Sequence, residues 1–349
     1  MSILALDLGK YKTVFCDYNP TNGKHEFGKV NTTPKEIHDL LVAREPATVT
    51  LEVCSVAGWI FDIAEALGIK VEAANPMHDA WRWKNVKKKT DKEDALKLAK
   101  LSCMGQLPTV HMPKKDVREK RALIKYRQRL VSYRTSIKNA IRAVFARQGI
   151  TIVSTKALWS REGLEWLKSH ARAFGKISDA EQLWRGQLHT ELGLLETITK
   201  SLKKVERKLN KMGASDKRIK RLQTIKGVGP RLAETVVAFL DDPKRFKNAK
   251  QVGSYAGLAP RQYQSGQSER QGKTGGRGNK LLRNLLIEIC WVSLGTNKWA
   301  RETYKRLLRG SSSRKKIAIT ALARKLVVRC WAMLRDEQDW KDNTQKDVA

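Results

Sequence analysis

Four acidic residues in the first third of the chain have the type and the spacing that metal-dependent chemistry requires. Asp7 and Glu52 each stand at the end of an apolar segment that is predicted to form a β-strand. Asp91 and Asp94 are three residues apart in the first turn of a predicted helix, so they share one of its faces. Carboxylates gathered at one place repel one another unless a cation holds them, and Mg²⁺ or Mn²⁺ prefers such oxygen ligands. The four acids therefore predict a Mg²⁺ or Mn²⁺ site, at which two ions could clamp a phosphodiester.

Each of these acids also has a structural explanation. The helix dipole favours aspartates in a first turn, and for Asp91 and Asp94 taken alone that explanation is the stronger one. Asp7 and Glu52 are harder to explain in this way, because an ionised acid on an apolar strand is costly without a partner. Asp17 is an alternative acid, but it stands beside a predicted turn, which favours exposure.

The elements that would position these acids form a predicted α/β domain over residues 1–110. Their order is β-β-β-α-β-α-β-α, in which the first three strands are predicted to form an antiparallel meander. The later alternation of strands and helices predicts strands that pair in parallel through helical crossovers. Because parallel sheets bind ligands at the carboxyl ends of their strands, we expect the strand-end acids and the helical pair to converge there.

Residues 111–215 are predicted to form a helical linker. The stretch His111–Gly149 has the pattern of a long basic helix or helix pair, with twelve Lys or Arg residues against two acids. The stretch Leu183–Met212 repeats apolar residues at heptad spacing, which is typical of a coiled coil or an antiparallel helix pair. A charge run is usually a solvated helix face, but in so basic a chain we expect this one to contact nucleic acid. The residues that we expect to make this contact are Arg121, Lys125 and Arg129.

Residues 216–349 form a third predicted unit, mainly helical, with a polar, Gly-rich break over residues 262–279. Its segment 225–230, Ile-Lys-Gly-Val-Gly-Pro, lies between two predicted helices. This pattern fits a helix-hairpin-helix, whose backbone N–H groups grip phosphate without reading sequence. It fits an ordinary helix–helix turn with glycine caps equally well. In the first case Lys226, Gly227 and Gly229 are candidate nucleic-acid-binding residues.

The composition favours a polyanionic partner. The net charge is +34, from 69 Lys and Arg against 35 Asp and Glu, and the pI is about 10.1. Such a charge repels itself unless a polyanion neutralises it, and nucleic acid is the obvious one. An anionic membrane surface is the competing partner, but no lipid anchor, signal peptide or long apolar stretch supports it. Five widely spaced cysteines without a CxxC pair predict free thiols in a reducing cytoplasm.

Several different short motifs are distributed along most of the chain, and the set of them in this order is specific. They are Ile3–Asp7, Leu51-Glu52, Asn75-Pro76 and Lys89–Ala95 in the first part, and Ile225–Pro230, Tyr255–Pro260, Ser265-Gly266 and Gly278–Arg283 in the second. With these motifs the chain resembles the DEDD transposases of bacterial insertion sequences, the family that includes the pilin-gene DNA invertases and the bridge-RNA-guided recombinases.

The resemblance implies a fold, a site and partners. It implies an N-terminal α/β domain of the RuvC, ribonuclease-H-like fold, a helical and partly coiled-coil linker, and a mainly helical C-terminal transposase domain. It assigns Asp7, Glu52, Asp91 and Asp94 to a metal-binding DEDD set, and Ser265 to a nucleophile that becomes a phosphoserine. The partners it implies are the target and donor DNA, a non-coding bridge RNA, and further copies of the chain in a dimer or tetramer.

The residues by themselves do not single out Ser265, since a serine in a polar loop is usually only a loop residue. The nearby Ser268 is the fallback nucleophile. Cations around the loop could hold a phosphate and stabilise charge at the reacting phosphorus. They are Arg261, Arg270, Lys273, Arg277, Lys280 and Arg283.

Two other functions use the same features. A hydrolytic RuvC-like nuclease would use the same acids to activate water, and no protein–DNA adduct would form. A non-catalytic nucleic-acid-binding protein would keep the acids for structural reasons. Trp81 and Trp83 could stack on unpaired bases, although packing in a core or lid is the stronger explanation.

Overall fold

The structure is a computed structural model that describes residues 2–76, 78, 90–152, 154, 156–265, 268–274 and 278–341. The chain divides into two compact units, which we call unit 1 (Met1–Asp116) and unit 2 (Val117–Ala349). Trp81, Trp83, Gly266 and Arg277 lie outside the described residues. In the part of the chain that is described, no helix is long and apolar enough to cross a membrane.

Unit 1 is built on a five-stranded sheet in the order β3-β2-β1-β4-β5. The strands are β1 (Ile3–Leu8), β2 (Lys12–Tyr18), β3 (His25–Asn31), β4 (Thr48–Glu52) and β5 (Lys70–Ala74). The first three strands pair antiparallel, and β1, β4 and β5 pair in parallel. The meander and the parallel crossovers predicted from the sequence are therefore confirmed, and this strand arrangement is that of a ribonuclease-H-like sheet.

Both faces of this sheet are covered, which explains why β1 is apolar along its length. The helices are α1 (Pro34–Arg44), α2 (Ala57–Ala66) and α3 (Asp91–Cys103). Leu4 and Leu6 pack with α1 and α2 in one core, and Ile3 and Ala5 pack with α3 in another. Because strand side chains alternate, the odd-numbered residues of β1 belong to the α3 face of the sheet.

Unit 2 is mainly helical. Its helices are α4 (Lys115–Arg147), α5 (Arg161–His170), α6 (Leu183–Ala214), α7 (Lys217–Gln223), α8 (Pro230–Leu240), α9 (Ala249–Tyr255), α10 (Lys280–Thr296), α11 (Lys298–Leu308) and α12 (Lys315–Arg335). A short 3-10 helix spans Ala157–Trp159. Strands β6 (Pro260–Ser265) and β7 (Ser268–Thr274) pair antiparallel between α9 and α10. The fold class expected from the sequence, α/β followed by α, is confirmed.

The long helices α4 and α6 form an antiparallel pair. Arg127 donates to Glu206 at 2.7 Å near one end of the pair, and Arg147 donates to Gln187 at 2.6 Å near the other. The residues of α6 that face inward recur every seven positions, as the heptad pattern predicted. They are Leu188, Leu195, Leu202 and Leu209. Of the two arrangements that the heptads allowed, the described residues form the antiparallel helix pair.

The two ends of this helix pair belong to different cores. At one end Phe145 and Leu188 pack with Leu167 of α5 in a small cluster. At the other end Ile124 and Leu209 join the large core built from α7 to α12. Residues on both sides of position 216 therefore share one core.

Candidate active site

Asp7 stands at the carboxyl end of β1 on the face that α3 covers. It continues the odd-numbered series of Ile3 and Ala5, both of which are buried against α3, and is itself half-buried. Gly9 makes the turn that follows, and a Cβ there would lie 2.3 Å from the carbonyl oxygen of Lys12. Only a residue without a side chain lets β2 return this closely, so the turn keeps Asp7 at the edge of the sheet.

Glu52 is at the same level on the neighbouring strand. Leu6 of β1 pairs with Leu51 of β4 in a parallel register, so the next residues, Asp7 and Glu52, end the two strands side by side. Leu51 packs on the α1–α2 side, which assigns Glu52 to the opposite face, the one that α3 covers. The register thus brings both strand-end acids to one edge and one face of the sheet.

Helix α3 carries the other two acids in its first turn. Its N-cap is Thr90, whose side-chain oxygen accepts a hydrogen bond from the backbone N–H of Glu93 at 3.3 Å. The helix packs on the sheet through a stripe that includes Ala95 and Leu98. Asp91 and Asp94 stand four residues before these two and extend the stripe towards the N-terminus.

Asp91 is exposed and Asp94 is half-buried, while Glu93 is exposed as well.

The donor set has the chemistry of a divalent-cation site. Four carboxylates supply only hard oxygen ligands, which Mg²⁺ and Mn²⁺ prefer over soft metals. In the described residues, no three Asp, Glu, His or Cys side chains are gathered closely enough to form a ready metal site. The four residues fit the ion by the chemistry of their oxygen ligands, and two of them, Asp7 and Glu52, share one face and one edge of the sheet.

Asp17, the alternative acid, lies elsewhere. It pairs with Leu4 in the antiparallel register, at the opposite end of β1 from Asp7 and on the α1–α2 face. Its carboxylate lies 3.5 Å from the guanidinium of Arg44, which also binds Glu26. Asp17 is therefore part of an ion-pair network at the end of α1.

The polar stretch 262–279, expected as an irregular break, contains a β-hairpin instead. Ser265 is the last residue of β6, and it pairs with Ser268, the first residue of β7. Both candidate nucleophiles are therefore at the turn end of the hairpin, and Arg261, Arg270 and Lys273 are on its strands. The sequence did carry a signal, because a two-residue loop whose first member is glycine favours a tight hairpin turn. The strands were missed because they lack the apolar alternation of a half-buried sheet.

The base of the hairpin is fixed by close backbone contact. Gly278 has a φ of +93°, and a Cβ there would lie 2.6 Å from the Cα atom of Gly257. The backbone N–H of Asn279 donates to the carbonyl of Tyr255 at 2.8 Å. Arg283 donates from Nη1 to the carbonyl of Gly257 at 3.3 Å. These contacts join α9 to the start of α10 and anchor both ends of the hairpin.

The segment Ile225–Pro230 forms a glycine turn between α7 and α8. Gly227 has a φ of +95°, and a Cβ there would lie 2.6 Å from the hydroxyl oxygen of Ser293 on α10. The amide of Asn297 donates to the carbonyl of Lys226 at 3.1 Å. Gly229 is the N-cap of α8, which begins at Pro230, and no atom lies within 4 Å of the position where a Cβ of Gly229 would stand.

The three expected basic contacts on α4 differ in their surroundings. Arg121 donates to the carbonyls of Ala238 and Phe239 at 2.7 and 3.2 Å, at the end of α8. Burial lowers the pKa of its guanidinium. Through its two hydrogen bonds Arg121 connects α4 with α8. Lys125 and Arg129 are exposed, as is Lys280 at the start of α10.

Two family models match the chain once this geometry is established. A DEDD transposase model of the IS110 type matches residues 4–148, and a model described as the transposase IS116/IS110/IS902 family matches residues 219–305. The first match spans the sheet and α3, and the second spans the glycine turn and the hairpin. The chain belongs to this transposase family.

Relatives of this transposase are named as transposases or as a gene-inverting protein. The transposase for insertion sequence element IS1111A of Coxiella burnetii is 26% identical over 98% of this chain and 92% of its own length. The probable family 20 transposase of Pseudomonas aeruginosa is 26% identical over 97% of this chain and 98% of its own length. The pilin gene-inverting protein of Moraxella lacunata is 28% identical over 77% of this chain and 74% of its own length.

Among solved structures, the RuvC structure of Thermus thermophilus aligns with 32% of the transposase at 17% identity and a TM-score of 0.24. A superposition this loose carries no argument, and the fold of unit 1 rests on its strand order and register.

Proposed function

We propose that this transposase cuts and rejoins the ends of an insertion sequence through a covalent phosphoserine at Ser265. Asp7, Glu52, Asp91 and Asp94 would hold Mg²⁺ or Mn²⁺ beside the reacting phosphodiester. The observation that carries the proposal is the parallel register of β1 and β4, which places Asp7, one residue before the end of β1, beside Glu52 at the end of β4, on the face covered by α3. If the acids had only a structural role, they would not need to lie at the same edge and on the same face of the sheet.

The covalent mechanism has two balanced steps. In the first, the Ser265 Oγ–phosphorus bond forms, one P–O bond of the DNA strand breaks, and the serine proton ends on the departing oxygen. In the second, a DNA hydroxyl attacks the phosphoserine, a new DNA ester forms, and the serine regains a proton. The bound metal would neutralise charge on the phosphate oxygens. The cations on the hairpin and at the start of α10 would hold the DNA strand near the serine.

The partners follow from the charge and from the resemblance. A net charge of +34 favours polyanions, and we propose target DNA, donor DNA and a non-coding bridge RNA as these partners. We also propose, from the resemblance, that the chain acts as a dimer or tetramer. The glycine turn before α8 would grip backbone phosphate through Lys226, Gly227 and Gly229. Binding to DNA would place the protein in the bacterial nucleoid.

The test is a search for the covalent intermediate. The protein is incubated with Mg²⁺, DNA carrying the ends of its own element, and the transcript that flanks the element. We expect a protein–DNA adduct that survives denaturant and is absent in Ser265→Ala. Ser268→Ala is the matched control, since Ser268 pairs with Ser265 at the same end of the hairpin. It should keep the adduct.

Three outcomes would contradict parts of the proposal. An adduct that is lost in Ser268→Ala and kept in Ser265→Ala would move the nucleophile. Cleavage without any adduct would favour a hydrolytic RuvC-like nuclease. A reaction that is unchanged when the transcript is omitted would remove the bridge RNA.

A further inference from the structure

The middle of α4 carries a row of three cations that the proposed active site does not use. Arg134, Lys138 and Arg142 recur every fourth residue and are all half-buried. At the rise of an α-helix, successive members are about 6 Å apart along the axis. This spacing is comparable with that of consecutive phosphates on a nucleic-acid strand. We call these three residues the α4 row.

Trp159, in the 3-10 helix before α5, holds two members of the row. The Lys138 ammonium nitrogen lies 4.4 Å from the centre of the Trp159 ring, and the Arg142 guanidinium carbon lies 5.4 Å from it. Cation–π contacts of this kind restrict long side chains that would otherwise sample many rotamers. Lys138 and Arg142 are therefore arranged before any ligand binds.

The row has no acidic partner among the residues that the structure describes. Elsewhere on the same helix, Lys120 lies 3.6 Å from Asp216, and Arg127 lies 2.7 Å from Glu206. Burial lowers the pKa of Lys138, and the neighbouring charges of Arg134 and Arg142 lower it further. Like charges held together in a half-buried position destabilise one another, and a bound anion would relieve that repulsion.

Two N–H donors at the same place also lack an acceptor in the described part of the chain. They are Nε of Arg142 and the indole Nε1 of Trp159, both of which are buried. Buried donors without an acceptor are uncommon, and each costs free energy. Arg142 also donates from Nη1 to Oδ1 of Asn139 at 2.8 Å. The cluster still has more positive charge and more N–H donors than acceptors, which is the chemistry of an anion site.

We infer that the α4 row, with two of its cations held by Trp159, binds successive phosphates of a nucleic-acid strand, at a site on the helix pair of unit 2 that is separate from the reacting phosphodiester. This inference rests on the proposed function, since it takes the transposase to act on nucleic acid. The shared ligand chemistry is the phosphodiester backbone, and DNA and RNA are distinguished by the experiment.

The test compares two triple variants of the full chain. In one, Arg134, Lys138 and Arg142 are all changed to Gln. In the other, the same change is made at Lys203, Arg207 and Lys211, which have the same spacing and charge on α6 but are fully exposed. Binding to a DNA duplex and to an RNA hairpin with equal numbers of phosphates is measured over a range of salt concentrations.

We expect the α4 variant to lose at least about tenfold in affinity for one or both probes, and its salt slope to fall by about 2 to 3, as for the loss of three phosphate contacts. The α6 variant should change the slope by less than about one. A DNA-only loss assigns the row to DNA, and an RNA-only loss assigns it to RNA. The charge-conserving variant Arg134→Lys, Lys138→Arg and Arg142→Lys should retain binding, and a melting temperature of the Gln variant equal to that of the wild type excludes misfolding as the cause.

Equal effects of the α4 and α6 variants on both probes would overturn the inference, because the row would then act only through net charge. The proposed function fails in a different way, through a wild-type protein that binds neither probe or forms no adduct. The two failures are therefore distinguishable.

Discussion

The carboxylate edge of unit 1 and the serine hairpin of unit 2 are held in place by different means. Asp7 and Glu52 end strands that are buried on both faces, between α1 and α2 on one side and α3 on the other. The hairpin is polar and two-stranded, and it is anchored at its base by contact of Gly278 with Gly257. An isolated two-stranded hairpin is marginally stable in water, so its anchor must fix it.

The difference teaches where function can be lost without loss of the fold. A carboxylate at the rim of a well-packed sheet contributes little to packing, so a change there should remove chemistry and leave the structure intact. A glycine at the base of the hairpin fixes a backbone path, so a change there should disturb both. The predictions test this contrast, from the largest expected effect to the smallest.

The largest effect is expected from Asp7→Asn. The amide keeps the shape of the side chain but is a poor metal ligand. If the ion supplies several kcal/mol of charge stabilisation, DNA cleavage should fall by at least about a thousandfold. The melting temperature should stay within a few degrees of the wild type. Cleavage rates on element-end DNA with Mg²⁺ and thermal unfolding measure the two quantities.

The matched control for this change is Asp17→Asn on the same sheet. Asp17 pairs with Arg44 in a network that is partly exposed, and such pairs contribute little to stability or chemistry. Cleavage should be unchanged. Equal losses in the two variants would mean that Asp7 acts through the net charge of the sheet, and the metal assignment would be abandoned.

The second effect is expected from Gly278→Ala. The φ of +93° strains any residue with a side chain, and the new Cβ would lie 2.6 Å from the backbone of Gly257. We expect a loss of about 3 kcal/mol in unfolding free energy together with loss of the serine adduct. Denaturant unfolding and the adduct assay measure the two.

Gly310→Ala separates strain from contact. Gly310 also has a positive φ, +71°, but nothing lies within 4 Å of the position where its Cβ would stand. It should lose only about 1 kcal/mol and keep the adduct. If the adduct survives in Gly278→Ala as well, the hairpin does not depend on this anchor.

The elements of unit 1 could be predicted from the sequence because buried strands and helices have apolar residues at regular spacing. Apolar strands that end in Asp7 and Glu52, and a helix that begins after Thr90, were all predicted, and the structure has each of them. The sequence predicted that Asp7 and Glu52 lie at the same edge of the sheet, but not that they lie side by side. Their exact positions depend on the register of β1 with β4, and therefore on how two distant segments pair. Sequence periodicity describes one strand at a time and does not specify that pairing.

The hairpin and the role of Arg121 could not be predicted in the same way. No apolar alternation marks β6 and β7, because both segments consist mainly of polar residues. Arg121 belongs to a basic helix whose cations look alike in the sequence, yet it donates to two carbonyls of α8 while Lys125 is exposed. Tertiary contacts determine which cation is available to a ligand, and the local sequence pattern does not reveal them.

A third effect concerns the buried charge of unit 2. Glu234 on α8 is 3% exposed and lies 3.0 Å from Arg231. Burial raises its pKa to about 7 from an ordinary value of 4.5, against the opposing effect of Arg231, Lys120 and Arg127. The folded state therefore retains a proton that the unfolded state loses between these two values.

Because the folded pKa is raised, this contribution to stability is full below about pH 4.5 and is lost as the pH rises through about 7. The Glu234→Gln variant cannot ionise, so it should lack this loss and gain about 3 kcal/mol relative to the wild type at pH 8. Urea unfolding at pH 5 and pH 8 measures the change. Glu196→Gln, which removes an exposed carboxylate from α6, should leave the pH dependence unaltered. The prediction would be contradicted if the unfolding free energy changed by the same amount between pH 5 and pH 8 in the wild type and in Glu234→Gln.

The smallest effect distinguishes two neighbouring cations of α4. Arg121→Met removes the arginine donor of the Ala238 carbonyl, while the Phe239 carbonyl keeps Arg245 as a donor, and we expect a cost of about 1 to 3 kcal/mol of unfolding free energy. Lys125→Met removes an exposed charge, so its effect on stability should stay within about 0.5 kcal/mol. If Lys125 contacts phosphate, its loss should lower the salt slope of DNA binding by about one. Denaturant unfolding and salt-dependent binding of both variants check the pair. The reverse pattern, in which Lys125 supports the fold and Arg121 does not, would show that the contact with α8 does not hold α4 in place.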